Sequence, residues 1–233
     1  MPQCAERTFP VSREIRYSAQ SKIVFRTCDS LPEVARITGE FLSRGAVALS
    51  GGSTYAALFP HWASSGVDCT RSRFFPVDER RVPFDSPESN WGAAWRGFLK
   101  PVGKLDDKEH FARSGAHYEE MLRREFPAFP PVFDIVFLGT GSDGHTASLF
   151  PGTPEVDDME SVVVETRSPV PPVERISLGM RVLVAARELV IVVWGESKRN
   201  VVKAVVEGDT RLPVVKVLTL RRESLVVVDN NLV

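Results

Sequence analysis

The sequence predicts an α/β protein with a Rossmann-like, largely parallel sheet flanked by helices. Short apolar runs rich in Val, Ile and Phe alternate along the chain with segments of helical periodicity, the pattern of strand-helix-strand units. Several of these runs are apolar at every position, as strands covered on both faces require. A chain of 233 residues, 43% hydrophobic and 25% charged, also carries enough apolar side chain to bury a continuous core.

KIVFR, residues 22–26, reads as the first strand. Ser30-Leu-Pro-Glu33 has the form of a capping box, Val34, Ile37 and Phe41 follow at helical spacing, and Gly45 supplies the stop. AVALS, 46–50, completes a strand-helix-strand unit. A helix is expected from Thr54, with its length left open by Pro60, which removes an intrahelical donor. SRFFPVDERRV, 72–82, reads as a strand, followed by a helix near 89–98 and another over 114–126 with Tyr118, Met121, Leu122 and Phe126 on one face. FDIVFL (133–138), VVVET (162–166), ERISL (174–178), ELVIVVW (188–194) and SLVVVD (224–229) supply the later strands. Residues 1–20 lack an apolar signal core and carry Glu6 and Glu14. They read as a polar leader that frames the domain without building it, and 21–233 as a single α/β domain.

Composition removes several classes of function. The formal net charge of -1 gives no basic field for nucleic acid or anionic lipid, so an anion must be met by a few local cations, which points to a small ligand. No apolar run reaches the roughly 18 residues of a membrane span; LVAARELVIVVW is interrupted by Arg187 and Glu188. Cys4, Cys28 and Cys69 form no C-x-x-C pair, which fits a reducing cytosol better than a disulfide framework. His61, His110, His117 and His145 show no paired metal-ligand spacing, so no protein metal site is expected. A G-x-S-x-G nucleophile elbow is missing, and the oligomeric state is left open.

The stretch GTGSDGHTASLFPG, 139–152, follows the run FDIVFL and spells G-x-G-x-x-G. In a dinucleotide-binding unit that turn opens a long crossover helix. Here only about one and a half helical turns fit between His145 and Pro151, and Asp143 inside the turn would repel a pyrophosphate. What remains is a glycine turn, with Gly141 and Gly144, presenting Asp143 and His145 at the carboxyl edge of a sheet, where α/β folds place ligand crevices.

Three other segments supply candidate anion contacts. Ser50, Gly51, Gly52, Ser53 and Thr54 stand at a strand-to-helix junction, where backbone N–H groups, hydroxyls and the helix dipole can cradle a phosphate; the Lys of a triphosphate loop is missing. Arg80 ends a strand expected in the same sheet as both glycine turns, and Lys198 in WGESKRN adds a point charge near a helix start.

These pieces, in this order, resemble the glucosamine-6-phosphate deaminase/6-phosphogluconolactonase family, on its lactonase side. The matching stretches are ALSGGST, PVDERRVP with SNW after it, FDIVFLGTGSDGHTASLFPG, ERISL and WGESK, from about residue 22 to the C-terminus. Thr140, where a larger apolar residue is expected, and Pro60 are the departures. The resemblance implies the sugar-phosphate isomerase/deaminase type of fold and hydrolysis of 6-phospho-D-glucono-1,5-lactone, with His145 as general base. It further implies Asp143 as its partner or a sugar contact, Asp78, Asn90 and Arg175 as further substrate contacts, and no cofactor. Because the fold hosts several activities, the site must decide among them. Deaminases carry a carboxylate five residues after the motif His, where this chain has Phe150; a phenyl ring cannot relay a proton. A deaminase or isomerase, and a catalytically silent sugar-phosphate-binding module, are the alternatives.

Overall fold

The computed structural model describes residues 12–18 and 21–233. Along the chain run β1 (Ser12–Ser18), β2 (Ser21–Cys28), α1 (Leu31–Gly39), β3 (Ala46–Leu49), α2 (Gly52–Ser64), β4 (Arg73–Pro76), β5 (Asp78–Arg80), α3 (Asn90–Ala94) and α4 (Gly115–Glu125). There follow β6 (Ile135–Leu138), β7 (Val163–Arg167), β8 (Glu174–Leu178), α5 (Met180–Ala185), β9 (Glu188–Val193), α6 (Arg199–Glu207), α7 (Pro213–Thr219) and β10 (Glu223–Asp229).

Seven strands form one sheet in the order β1-β2-β10-β9-β6-β3-β4, parallel throughout except for β1. Its central strands are buried on both faces, and their residues alternate between two cores. Ala48, Val136, Ile191 and Val226 face one; Val47, Ile135, Val190 and Val227 face the other. The edge strand β4 is blunted by side chains that occupy its free backbone groups. Asp107 accepts from Phe74 N at 3.1 Å, while His110 Nδ1 and Tyr118 OH donate to the carbonyls of Phe74 and Pro76. His110 is therefore a core residue, with its ring stacked 4.3 Å from that of Phe75.

Four local expectations are corrected. Residues 12–18, expected in the leader, pair antiparallel with β2 and extend the sheet; residues 1–11, with Cys4 and Glu6, lie outside the described residues. The strand expected over 72–82 is two strands in two sheets. Val77 N donates to Leu49 O of the large sheet at 2.9 Å, while Val77 O accepts from Leu178 N at 2.9 Å, so the chain changes sheets at this residue. β5, β8 and β7 then form a separate antiparallel sheet, which takes VVVET, ERISL and Arg80 away from the parallel one. Ser30 makes no side-chain cap bond and Glu33 accepts from Asp29 N instead, so the capping box is not formed. Helix α2 runs through Pro60 because Tyr55, Leu58, Phe59 and Trp62 are all fully buried on its inner face, an apolar gain that outweighs one missing N–H.

Candidate active site

Strands β9, β6 and β3 end side by side, and β4 hands over to β5 next to them. The loops leaving these ends surround a cavity of about 420 Å³. After β6 the chain folds back on itself: Gly141 N donates to His145 O at 2.9 Å and Gly144 N to Gly141 O at 3.2 Å, with Gly144 at φ 80°. A Cβ on Gly141 would lie 2.2 Å from His145 Nδ1 and 2.3 Å from Asp143 Oδ1, so only glycine lets this pair close over the turn. Asp143 Oδ1 stands 2.6 Å from His145 Nδ1 and also accepts from His145 N at 3.2 Å. That bond holds the Asp143 carboxyl below its usual range. With Nδ1–H given to the carboxylate, Nε2 is left as the basic nitrogen. The short helix expected after His145 is absent. Thr146 and Leu149 close a tight turn with Ala147 at φ 52°, and the Phe150 ring packs 4.9 Å from that of His145.

Across the cavity, β5 presents Asp78 and Arg80. Ser148 Oγ donates to Asp78 Oδ2 at 2.6 Å, and Asn90 Nδ2 reaches Asp78 O and Oδ2 at 3.3 and 3.4 Å. Burial pushes the Asp78 carboxyl up, while Ser148 and the charges of Arg175, His145 and Arg80 pull it back. Arg80 and Arg175 are direct partners in the β5–β8 ladder. Like charges opposite one another destabilise a sheet, and here both Nε atoms are buried without a partner. Burial first, then Arg80, lowers the Arg175 pKa, and burial lowers that of Lys198 against the pull of Asp143. Both side chains also line the cavity, so its wall carries two positive charges beside the Asp78 carboxyl.

Twelve of the fourteen residues expected from sequence line this cavity: Gly51, Gly52, Ser53 and Thr54 at the head of α2; Asp78, Arg80 and Asn90; Gly141, Asp143 and His145; Arg175 and Lys198. Two do not. Ser50 is buried beneath the α2 turn, and Gly144 packs against Leu212 while its carbonyl accepts from Val214 N. Sequence reasoning missed Ser148, which carried a signal in lying three residues after His145. It also missed Ser168, Pro169 and Val170, which arrive from the β7–β8 hairpin and carried none. Among the described residues no group of three or more His, Cys, Asp or Glu is arranged to hold a metal ion, and no helix is long and apolar enough to cross a membrane.

A parallel sheet with helices on both faces, a strand-end crevice and a His–carboxylate pair opposite paired guanidiniums define a protein of the glucosamine-6-phosphate isomerase type of fold. Residues 19–227 match the family described as glucosamine-6-phosphate isomerases/6-phosphogluconolactonase, and the chain belongs to that family. It is 35% identical to rat 6-phosphogluconolactonase over 185 residues, covering 73% of this chain and 72% of the rat protein, and 34% identical to the human enzyme over the same length. Among solved structures, 6-phosphogluconolactonase from Leishmania guyanensis superposes with a TM-score of 0.75 at 27% identity, over 88% of this chain and 95% of that one. The Trypanosoma brucei enzyme gives 0.74 at 25% identity, over 89% and 96%.

Proposed function

We propose that this chain hydrolyses 6-phospho-D-glucono-1,5-lactone to 6-phosphogluconate, the lactone-opening step of the oxidative pentose phosphate pathway. The observation that carries the proposal is the 2.6 Å Asp143–His145 bond on the rim of the same cavity as Arg80 and Arg175, adjacent cations of the β5–β8 ladder. One imidazole serves both proton transfers. Neutral His145 takes a proton on Nε2 from the water that attacks C1; as the tetrahedral intermediate collapses and the C1–O5 bond breaks, the imidazolium returns that proton to the ring oxygen. Asp143 fixes the tautomer and stabilises the cation.

The N–H groups of Gly141, Gly144 and His145 are already bonded within the turn, so the oxyanion would fall to Thr140 and Ser142 N. Phosphate held by Arg80, Arg175, Lys198 and the head of α2 anchors the far end of the sugar and brings C1 to His145. Asp78 and Asn90 are left to meet sugar hydroxyls. Phe150 occupies the place where a deaminase needs its relay carboxylate, which argues against sugar-ring isomerisation. The two free cysteines described, Cys28 and Cys69, are buried, with thiols pushed up to about 12 and about 11 by burial, which keeps them protonated and out of the proposed chemistry.

The test follows lactone hydrolysis above the spontaneous rate. His145→Ala should abolish the excess, which would also separate an enzyme from a silent sugar-phosphate binder. Equal excess rates in the two proteins would remove His145 from the chemistry.

A further inference from the structure

Glu79 lies between two cavity residues of β5, yet strand alternation turns its side chain away from the cavity, and it is 0% exposed. Its two carboxylate oxygens collect four hydrogen bonds. Oε1 accepts from Arg80 N at 2.7 Å and Asn90 N at 2.8 Å; Oε2 accepts from Ser89 Oγ at 2.9 Å and Trp91 N at 2.8 Å. Four converging neutral donors, rather than a contacting cation, compensate the buried carboxylate. Ser89 Oγ caps α3 by accepting from Gly92 N, and Glu79 takes the two N–H groups before it, those of Asn90 and Trp91, so the cap of this helix is supplied in part from another strand.

What the carboxylate adds is a tie between β5 and the first turn of α3, and the residue on that turn that matters is Asn90. Its amide braces Asp78 O and Oδ2, and its Cγ stands 2.3 Å from where Gly51 would carry a Cβ. Asn90 is thus a spacer wedged between the Asp78 wall and the α2 cradle. A small rotation of the α3 turn would change the distance between them.

We propose that Glu79 is a positioning residue for the sugar-phosphate site: from behind the wall it clamps α3 to β5 and so fixes Asn90, and with it the gap between Asp78 and the Gly51 turn. This rests on the lactonase reading of the cavity. It predicts a defect in binding rather than in turnover, and a defect transmitted through Asn90.

The experiment is a double-mutant cycle of Glu79→Gln and Asn90→Ala, reading KM and kcat for the phosphorylated lactone and Kd for 6-phosphogluconate and for inorganic phosphate. Glu79→Gln, which turns an amide toward two of the four donors, should raise KM and Kd about tenfold and change kcat by less than about threefold; the double variant should be within about twofold of the worse single one. Losses that multiply, or that fall on kcat with KM unchanged, would overturn the proposal. Should Glu79→Gln not fold, Ser89→Ala removes one donor of the four together with the Gly92 cap, both of which hold the α3 turn: it should raise KM about threefold alone and leave it unchanged in the Asn90→Ala background, and no rise alone would equally overturn it. A wild-type protein that binds 6-phosphogluconate without hydrolysing the lactone would remove the lactonase reading, and the cycle in Kd would still decide the role of Glu79.

Discussion

Replacing Arg175 by Met keeps side-chain length and removes one of two guanidiniums held opposite each other in the β5–β8 ladder. Cβ atoms of such partners lie about 5 Å apart. With about 7 Å between the charges and an effective dielectric constant of about 20, the repulsion is ~2 kcal/mol. Asp78 returns part of this, but burial and Arg80 weigh more heavily on Arg175 than Asp78 does, so its charge is a net cost while the cavity is empty. Arg175→Met should therefore stabilise the ligand-free protein by ~1 kcal/mol, a rise in Tm of about 2–4 °C for a chain of this size. Ligand reverses the order. Phosphate or 6-phosphogluconate at about 100 times its Kd should stabilise the wild type by ~2.7 kcal/mol, and the variant, with weaker binding, by much less. Thermal unfolding with and without each ligand measures both effects. A lower Tm in the ligand-free variant together with an undiminished ligand shift would refute the reasoning and make Arg175 a structural partner of Asp78.

The remaining predictions concern the base, the core and pH. Asp143→Asn should lower kcat about 10²-fold or more with little change in KM, because an amide can donate to Nδ1 and favour the wrong tautomer; steady-state kinetics above the background rate test this. Arg221, largely buried and lowered to about 10 by that burial, donates to the carbonyls of Leu183, Val184, Ala186 and Arg187 at the end of α5. Arg221→Met should cost ~3 kcal/mol in urea unfolding, since several buried acceptors lose their donor together. Burial raises the Glu79 carboxyl to about 7 from 4.5 against the pull of its four donors. The folded state therefore binds the proton more tightly than the unfolded one. Stability linked to this group is complete below about pH 4.5 and is lost as pH rises through 7, by up to ~3 kcal/mol, and Glu79→Gln should flatten that slope.

Most strands and the helices α1 to α4 were legible because these elements carry their own periodicity, while α5 and α7 were not read from the sequence; the turn bearing Asp143 and His145 was legible because glycine spacing is a local requirement. The same holds for the cradle at 51–54, where strand, glycines and helix start are contiguous. The sequence also singled out Phe150, since its position is counted from His145, and its ring does pack against that of His145. It did not show that the chain changes sheets at Val77, because one amide and one carbonyl pointing to different sheets leave no trace in hydrophobic pattern. Nor did it show that β1 joins the sheet, that Ser148 braces Asp78 from 70 residues away, or that the β7–β8 hairpin closes the cavity rim. Periodicity says which residues are extended and which face is apolar; it does not say which strand lies alongside. Arg80 could be chosen from sequence as a cation at a strand end, but its pairing with Arg175 was decided by the register of an antiparallel sheet. That register sets two guanidiniums side by side, each with a buried Nε that has no hydrogen-bond partner, an arrangement that hydrophobic pattern alone does not reveal.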